Sequence, residues 1–256
     1  SRWGLVSFIG SAKIGWKLKS QLAPGVQCIL EHGGVAPVIV DKAADVDAMI
    51  PKLIKGAFYH SGQVCVSVQR LYVPKSMSED ICQKLLTEIE RLKTGPATEQ
   101  DSDLGPIIRR SALQRIDSWV KEAVAEGAEL LCGGQLIGES CYAPTVLLSP
   151  SEESIVSKEE IFGPVLCVYT YDDLAEVIER ANALPYCFQA SFFSQNLTQS
   201  LSVAECLKGT AVMINDHTAF RVDWMPFGGR EKSGYGIGGI VQTMEKLCVE
   251  KLIVFA

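Results

Sequence analysis

Three observations assign this 256-residue chain to the α/β class. Strand signals alternate with helix signals almost from end to end, the pattern of a largely parallel sheet with helices on both faces. Repeats, low-complexity tracts and long linkers are absent. The length supports one large or two smaller domains with ample core.

The elements follow in order. Leu5 to Phe8 is a strand, and Ser11 is positioned to cap the amphipathic stretch Ala12 to Leu22, which Pro24-Gly25 ends. Val26 to Leu30 and Val35 to Val40 are apolar runs of strand length. Asp45 to Tyr59 has helical period, and Pro51 is expected to kink or restart it. Leu71 to Val73 is a strand stopped by Pro74. Ser76 to Lys93 is the clearest helix, with Ser76 and Glu79 at capping-box spacing and Ile81, Leu85, Ile89 and Leu92 on one face. Ser111 to Glu126 repeats that pattern and ends at Gly127. Val165 to Tyr171, Ala190 to Phe193 and Thr210 to Asn215 are strands, separated by helices at Asp173 to Ala183 and Leu197 to Leu207.

Hydrophobic residues make up 47% and charged residues 21%, ordinary values for a soluble globular protein. A net charge of −6 supplies no basic field for nucleic acid. No apolar run approaches the roughly 20 residues that cross a bilayer, and no signal pattern opens the chain. The cytoplasm is the expected compartment, and neither a membrane nor a nucleic acid is expected as a partner. Nine cysteines form an odd set without a C-x-x-C pair, which excludes zinc and thioredoxin-type readings and leaves no expected metal. Eight of them read as small buried hydrophobes. The chain does not open with Met and starts as though inside a strand, so it is expected to be part of a larger protein.

The ninth, Cys65, follows the turn Gly62-Gln63-Val64, and Glu31 opens a second turn, His32-Gly33-Gly34, 34 residues earlier (65 − 31). A thiol becomes a nucleophile only as thiolate, with help from a helix end, a cation or a nearby base. A carboxylate that activates water then releases whatever the sulfur has captured. Glu31-His32-Gly33-Gly34 and Gly62-Gln63-Val64-Cys65 resemble the E-x-G-G and G-Q-x-C segments of the aldehyde dehydrogenase superfamily. Glu159-Glu160-Ile161-Phe162-Gly163-Pro164, Pro226-Phe227-Gly228-Gly229 with Lys232-Ser233-Gly234, and Phe8-Ile9-Gly10-Ser11 complete five segments in family order.

The resemblance implies a catalytic domain with a largely parallel sheet, plus the tail end of a Rossmann-type cofactor domain. On that reading residues 1–32 are the remnant of the cofactor-binding domain and 33–232 the catalytic domain. Residues 233–256 are then a C-terminal helix and oligomerisation strand, with Val249 to Phe255 pairing in a homodimer or homotetramer. Cys65 is implied as nucleophile, with its own N–H as an oxyanion donor, and Glu31 as the base. Glu160 and Phe162 are implied at the nicotinamide ribose and Gly10 and Ser11 at the pyrophosphate of NAD or NADP, the choice between them left open. Arg221 and Phe227 are implied on the aldehyde side, with Arg221 either forking to an acidic substrate or pairing with Asp223 or another acid. The Y-H-S-G-Q-V-C-V-S-V-Q-R segment is similar to the branch handling lactaldehyde, phosphonoacetaldehyde and related small polar aldehydes.

His32 stands where the family commonly has Leu, a departure expected to lie outside the chemistry. Gly234, Gly236 and Gly239 satisfy G-x-G-x-x-G, but too few residues follow for a dinucleotide unit. They read as a turn lining the substrate side. His60 or His217 with Cys65 is the rival pattern of a cysteine hydrolase, and a non-catalytic oligomerisation fragment is the other alternative. In the full protein Cys65 is expected to be the fastest of the nine thiols to alkylate. The isolated 256-residue chain is expected to be inactive.

Overall fold

A computed structural model describes residues 4–255. The elements in chain order are β1 (Leu5–Ile9), α1 (Ala12–Ser20), β2 (Gln27–Glu31), β3 (Ala36–Val40), α2 (Val46–Phe58), β4 (Val68–Pro74), α3 (Ser78–Ile89) and α4 (Arg110–Ala125). Next come the short strands β5 (Glu129–Cys132), β6 (Leu136–Ile137), β7 (Cys141–Tyr142) and β8 (Thr145–Leu148), then α5 (Ile155–Lys158) and β9 (Val165–Tyr171). The remainder is α6 (Leu174–Asn182), β10 (Tyr186–Cys187), β11 (Gln189–Phe193), α7 (Leu197–Cys206), β12 (Ala211–Ile214), β13 (Arg230–Glu231), β14 (Gly234–Tyr235) and α8 (Ile240–Leu247).

Seven strands form the main sheet in the order β12-β11-β3-β4-β9-β8-β5. Its pairings are parallel except β5 with β8. Strand side chains alternate between faces, and here both faces are apolar, which is why the strands read as continuous hydrophobic runs. Ile39, Tyr72, Cys167, Tyr169 and Phe192 point into one core with α4, α5, α6 and α7. Val38, Val40, Leu71, Val73 and Val168 point into the other with α2 and α3. A fully buried Leu53 or Leu85 contributes about 1.5–3 kcal/mol through burial alone.

A second sheet has three strands, β1-β2-β14. β1 and β2 are parallel, and β14 closes the sheet antiparallel to β2 with Gly234 opposite Glu31. Residue 233 is therefore not a clean boundary, because Gly234 and Tyr235 return to the strand that carries Glu31. Only Gly33 and its three neighbours, residues 32–35, separate β2 from β3, so Glu31 stands at the junction of the two sheets.

Three expectations need correction. Pro51 does not break α2, which runs unbroken from Val46 to Phe58. The Asp45 carboxylate caps that helix by accepting from Ala48 N at 3.1 Å, while packing of Ile50 and Leu53 overrides the missing N–H. The Ser76–Glu79 capping box does not form; a 3₁₀ turn over Lys75–Met77 precedes α3, which starts at Ser78. Ser11 occupies the N-cap position of α1 without a side-chain capping bond. Residues 249–255 are exposed and join no ladder within the described chain.

Candidate active site

The Cys65 loop is built from a left-handed turn. After α2 ends, His60, Ser61 and Gly62 have φ values of 50°, 58° and 67°. Glycine is required at the third, because a Cβ on Gly62 would overlap the Gly163 carbonyl. The two strained residues are held by hydrogen bonds. Ser61 Oγ donates to the Gly105 carbonyl at 2.8 Å. Gln63 donates to the Pro106 carbonyl at 3.2 Å and accepts from Ile108 N at 2.9 Å, which explains the amide in this motif. Ser67 N donates to the Val64 carbonyl at 2.9 Å, closing a turn around Cys65.

The Glu160 loop abuts this turn and is fastened by side chains that sequence reasoning did not single out. Gln69, buried four residues after Cys65, donates to the Val156 and Glu159 carbonyls at 2.9 and 2.8 Å. Its Oε1 accepts from Ile161 N at 3.0 Å. Arg115 on α4 donates to the Ile161 carbonyl at 2.7 Å and stacks over Trp119. The Tyr186 hydroxyl donates to Glu159 at 2.7 Å. Phe162 adopts a left-handed φ of 50° between these anchors. A small cleft lies between the two loops, lined by Gly34, Gly62, Val64, Glu160 and Phe162.

The Gly33-Gly34 turn touches both loops. A Cβ on Gly33 would overlap the Glu160 carboxylate, and one on Gly34 would come 3.1 Å from the Cys65 carbonyl oxygen. The Gly34 amide lies near the Glu160 carboxylate and favours its charged form, while the Glu160 Oε1 is buried with no hydrogen-bond partner among the described residues. Burial raises the Glu160 carboxyl to about 7, against the opposing pull of the Gly34 amide and Arg115. The buried Arg70 donates to the Val35 carbonyl at 3.1 Å and to Ala181 at the end of α6 at 3.0 Å, anchoring the far side of the turn.

Glu31 is half-buried at the end of β2, where a Cβ on Gly238 would strike its carboxylate. Burial raises its pKa and the Arg221 guanidinium pulls it back. Cys65 lies within the field of both carboxylates. Burial, then Glu160 and Glu31, push its thiol up to about 12, while the backbone amides of Cys65 and Val66 favour the thiolate. The expected activation of this thiol by a helix end is absent, since α2 presents its C-terminal end and no cation adjoins the sulfur among the described residues.

Arg221 is exposed and donates to the Val222 and Met225 carbonyls of its own loop, the former at 3.3 Å and the latter at 2.5 Å. Its guanidinium lies 4.6 Å from the Phe227 ring centre, and it makes no ion pair with Asp223. Phe227 packs on Phe188 at 4.8 Å and its backbone bridges Gly238. Gly10 and Ser11 are exposed at the start of α1, beside the end of β2 in space, where the Glu31 carbonyl accepts from Gly10 N at 3.0 Å. Neither histidine of the rival pattern acts on Cys65. His60 is exposed and stacked on Tyr59, and His217 is buried against Gly56 with Nε2 3.8 Å from Asp216. No group of metal-ligating side chains occurs among the described residues, and no helix there is long and apolar enough to cross a membrane.

The chain is 35% identical over 251 residues to the 3-sulfolactaldehyde dehydrogenase of Priestia aryabhattai, covering 98% of this chain and 52% of that protein. It is 36% identical over 250 residues to a lactaldehyde dehydrogenase of Methanococcus maripaludis, again 98% of this chain and 53% of the relative. It thus spans about half the length of the curated relatives it matches. Among solved structures, aldehyde dehydrogenase 21 from Physcomitrella patens, in complex with the reaction product succinate, superposes with a TM-score of 0.92 at 38% identity. The match covers 96% of this chain and 51% of that one. Glyceraldehyde-3-phosphate dehydrogenase GapN from Methanocaldococcus jannaschii, complexed with NADP, gives a TM-score of 0.90 at 35% identity over 95% of this chain and 52% of that chain. The family model described as "Aldehyde dehydrogenase family" matches residues 1–253, and with the fold and motifs above this chain belongs to that family, in its lactaldehyde-like branch.

Proposed function

We propose that the protein containing this chain oxidises a small polar aldehyde to its carboxylate with NAD or NADP, using Cys65 as nucleophile and Glu31 as base. The observation that carries this reading is the convergence of two carboxylates with raised pKa on one thiol across the Gly33-Gly34 turn. Cys65 Sγ adds to the aldehyde carbon, and the backbone N–H of Cys65 faces the oxyanion that forms. Loss of hydride from that carbon leaves a thioester. Glu31 then takes a proton from water, which attacks the thioester, releases the carboxylic acid and restores the thiol.

The residues suit the cofactor that the family implies. Glu160 presents a buried oxygen without a partner, the acceptor a ribose hydroxyl requires. Gly10 and Ser11 open a helix with no acidic residue in its first turn, which suits a phosphate. Bound, an oxidised nicotinamide would supply the hydride acceptor and a positive charge near Cys65. Relatives are named for 3-sulfolactaldehyde and glyceraldehyde-3-phosphate, both anionic aldehydes, and Arg221, which forms no salt bridge among the described residues and lies in the field of Glu31, suits such a group. Residues 1–32 would complete a cofactor domain, 33–232 the catalytic domain, and the exposed apolar side of α8 with residues 249–255 a homodimer or homotetramer contact.

The test is a panel of acidic and neutral aldehydes of similar size with the full-length protein, following reduced cofactor with each nucleotide. Cys65→Ala is expected to lower turnover by at least about 10⁴-fold. Arg221→Ala is expected to raise KM for acidic substrates alone by about tenfold. Retained turnover in Cys65→Ala excludes the mechanism.

A further inference from the structure

His32 replaces an apolar residue common in the family and sits next to the proposed base, so its surroundings decide whether the change matters. It is 1% exposed. Its backbone N–H donates to the Ser233 carbonyl at 2.9 Å, and its Nδ1 lies 3.0 Å from the Lys232 carbonyl. A carbonyl only accepts, so Nδ1 donates. One residue thus bonds two consecutive carbonyls of the C-terminal segment, one through its main chain and one through its side chain.

The ring is wedged so that no other orientation is open to it. Trp16 and Phe8 meet it edge-on at 5.5 and 6.3 Å between ring centres. Its Nε2 faces Gly15 of α1 so closely that a Cβ there would overlap it, and it has no hydrogen-bond partner among the described residues. Adjacent residues of an extended chain point to opposite sides. Seating the His32 ring against α1 therefore directs the Glu31 side chain the other way, toward Gly238 and Cys65. The segment His32 grips also begins β14, whose Gly234 pairs with Glu31.

We propose that His32 is a positioning residue for Glu31: its Nδ1–H bond to the Lys232 carbonyl staples the base-bearing strand to the C-terminal segment and sets the direction of the Glu31 carboxylate. This rests on the reading of Glu31 as the base for thioester hydrolysis. A leucine fills the same space without the bond. An asparagine places its amide N–H near the position of Nδ1 and keeps it.

The experiment compares His32→Leu and His32→Asn with the parent full-length protein by rapid quench, separating hydride transfer from thioester hydrolysis. His32→Leu is expected to slow hydrolysis about fivefold, the loss of one hydrogen bond's worth of positioning, with hydride transfer and cofactor binding unchanged. His32→Asn is expected to recover hydrolysis to within about twofold. Hydrolysis at the parent rate in His32→Leu, or equal losses in both steps, overturns the proposal. Amide exchange is read in parallel. Faster exchange at Glu31–Gly33 and Lys232–Gly234 in His32→Leu, but not in His32→Asn, supports the staple, and unchanged exchange overturns it. If no aldehyde acylates the parent, the dehydrogenase reading falls, and the exchange result still decides the role of His32.

Discussion

Glu160 and Glu31 lie against the same glycine turn and their fields reach the same thiol, yet they are held in opposite ways. The Glu160 loop is fixed by Gln69, Arg115 and Tyr186, which bond its backbone and its neighbouring carboxylate. Its own Oε1 is buried without a hydrogen-bond partner among the described residues, near the Gly34 amide. Glu31 is half-exposed, accepts no side-chain hydrogen bond, and faces a glycine on one side and the exposed Arg221 on the other. A rigid, dry carboxylate suits a fixed ligand. A roomier one with access to water suits proton transfer, which needs an acceptor of raised pKa that can approach and withdraw. The contrast agrees with the different roles proposed for the two acids, although both have raised pKa values.

Breaking the contrast at Glu31 has the largest expected effect. Glu31→Gln removes the proposed base while keeping the shape, and turnover in the full-length protein is expected to fall by about 10²–10⁴-fold. A rapid burst of reduced cofactor should survive, because hydride loss precedes water attack. Disappearance of the burst as well would place Glu31 in an earlier step.

Glu160 sharpens the comparison through stability. Burial raises this carboxyl to about 7, so between the ordinary carboxylate pKa and about 7 the folded chain keeps a proton that the unfolded chain has lost. Stability from this group is present below the unfolded value and is lost as pH rises through 7. Glu160→Gln is neutral throughout and is expected to be more stable than the parent at pH 8 by about 1–3 kcal/mol, with little difference at pH 4. Urea unfolding at the two pH values measures this. A parent whose stability rose from pH 5 to pH 8 relative to the variant would contradict it.

The smallest effect lies at the thiol between them. With both carboxylates and burial suppressing the Cys65 thiolate, the exposed Cys206 and Cys248 are expected to alkylate first in the free protein. This reverses the order anticipated from the motif alone. Adding oxidised cofactor to the full-length protein is expected to speed Cys65 modification by about tenfold, one pKa unit's worth of charge compensation. Peptide mapping after iodoacetamide treatment reads both orders.

Much of this was legible in the sequence wherever local and tertiary preferences agree. The strands around Val38, Val168 and Phe192 carry apolar residues on both faces, so their runs announce a parallel, buried sheet. The short strands β5 to β8 were not legible, because runs of two to four residues in a stretch broken by Gly133, Gly134 and Gly138 carry too little period to separate strand from loop. Pro51 misled because helix propensity is a weak force against packing. At the site, Cys65, Glu31 and Glu160 stood out by motif, and the fold brings them together. Gln69, Arg115 and Tyr186 did not stand out, because what matters in them is a set of bonds to backbone distant in sequence. The elevated thiol pKa was hidden for the same reason, since it follows from which charges the fold gathers.

The turn at His60, Ser61 and Gly62 has a consequence for variation at these positions. Left-handed backbone is open to Gly and, among other residues, to Asn, Asp and His with several-fold preference, and is closed to β-branched side chains. His60 points its ring at Tyr59 and solvent, so natural or engineered sequences can exchange it for asparagine or glycine without touching chemistry. Ser61 has less latitude, because glycine would relieve its backbone yet forfeit the bond to Gly105. Gly62 has none. A library across the three codons would therefore show a gradient of tolerance running toward the nucleophile, imposed by dihedral angles and by the Gly163 carbonyl.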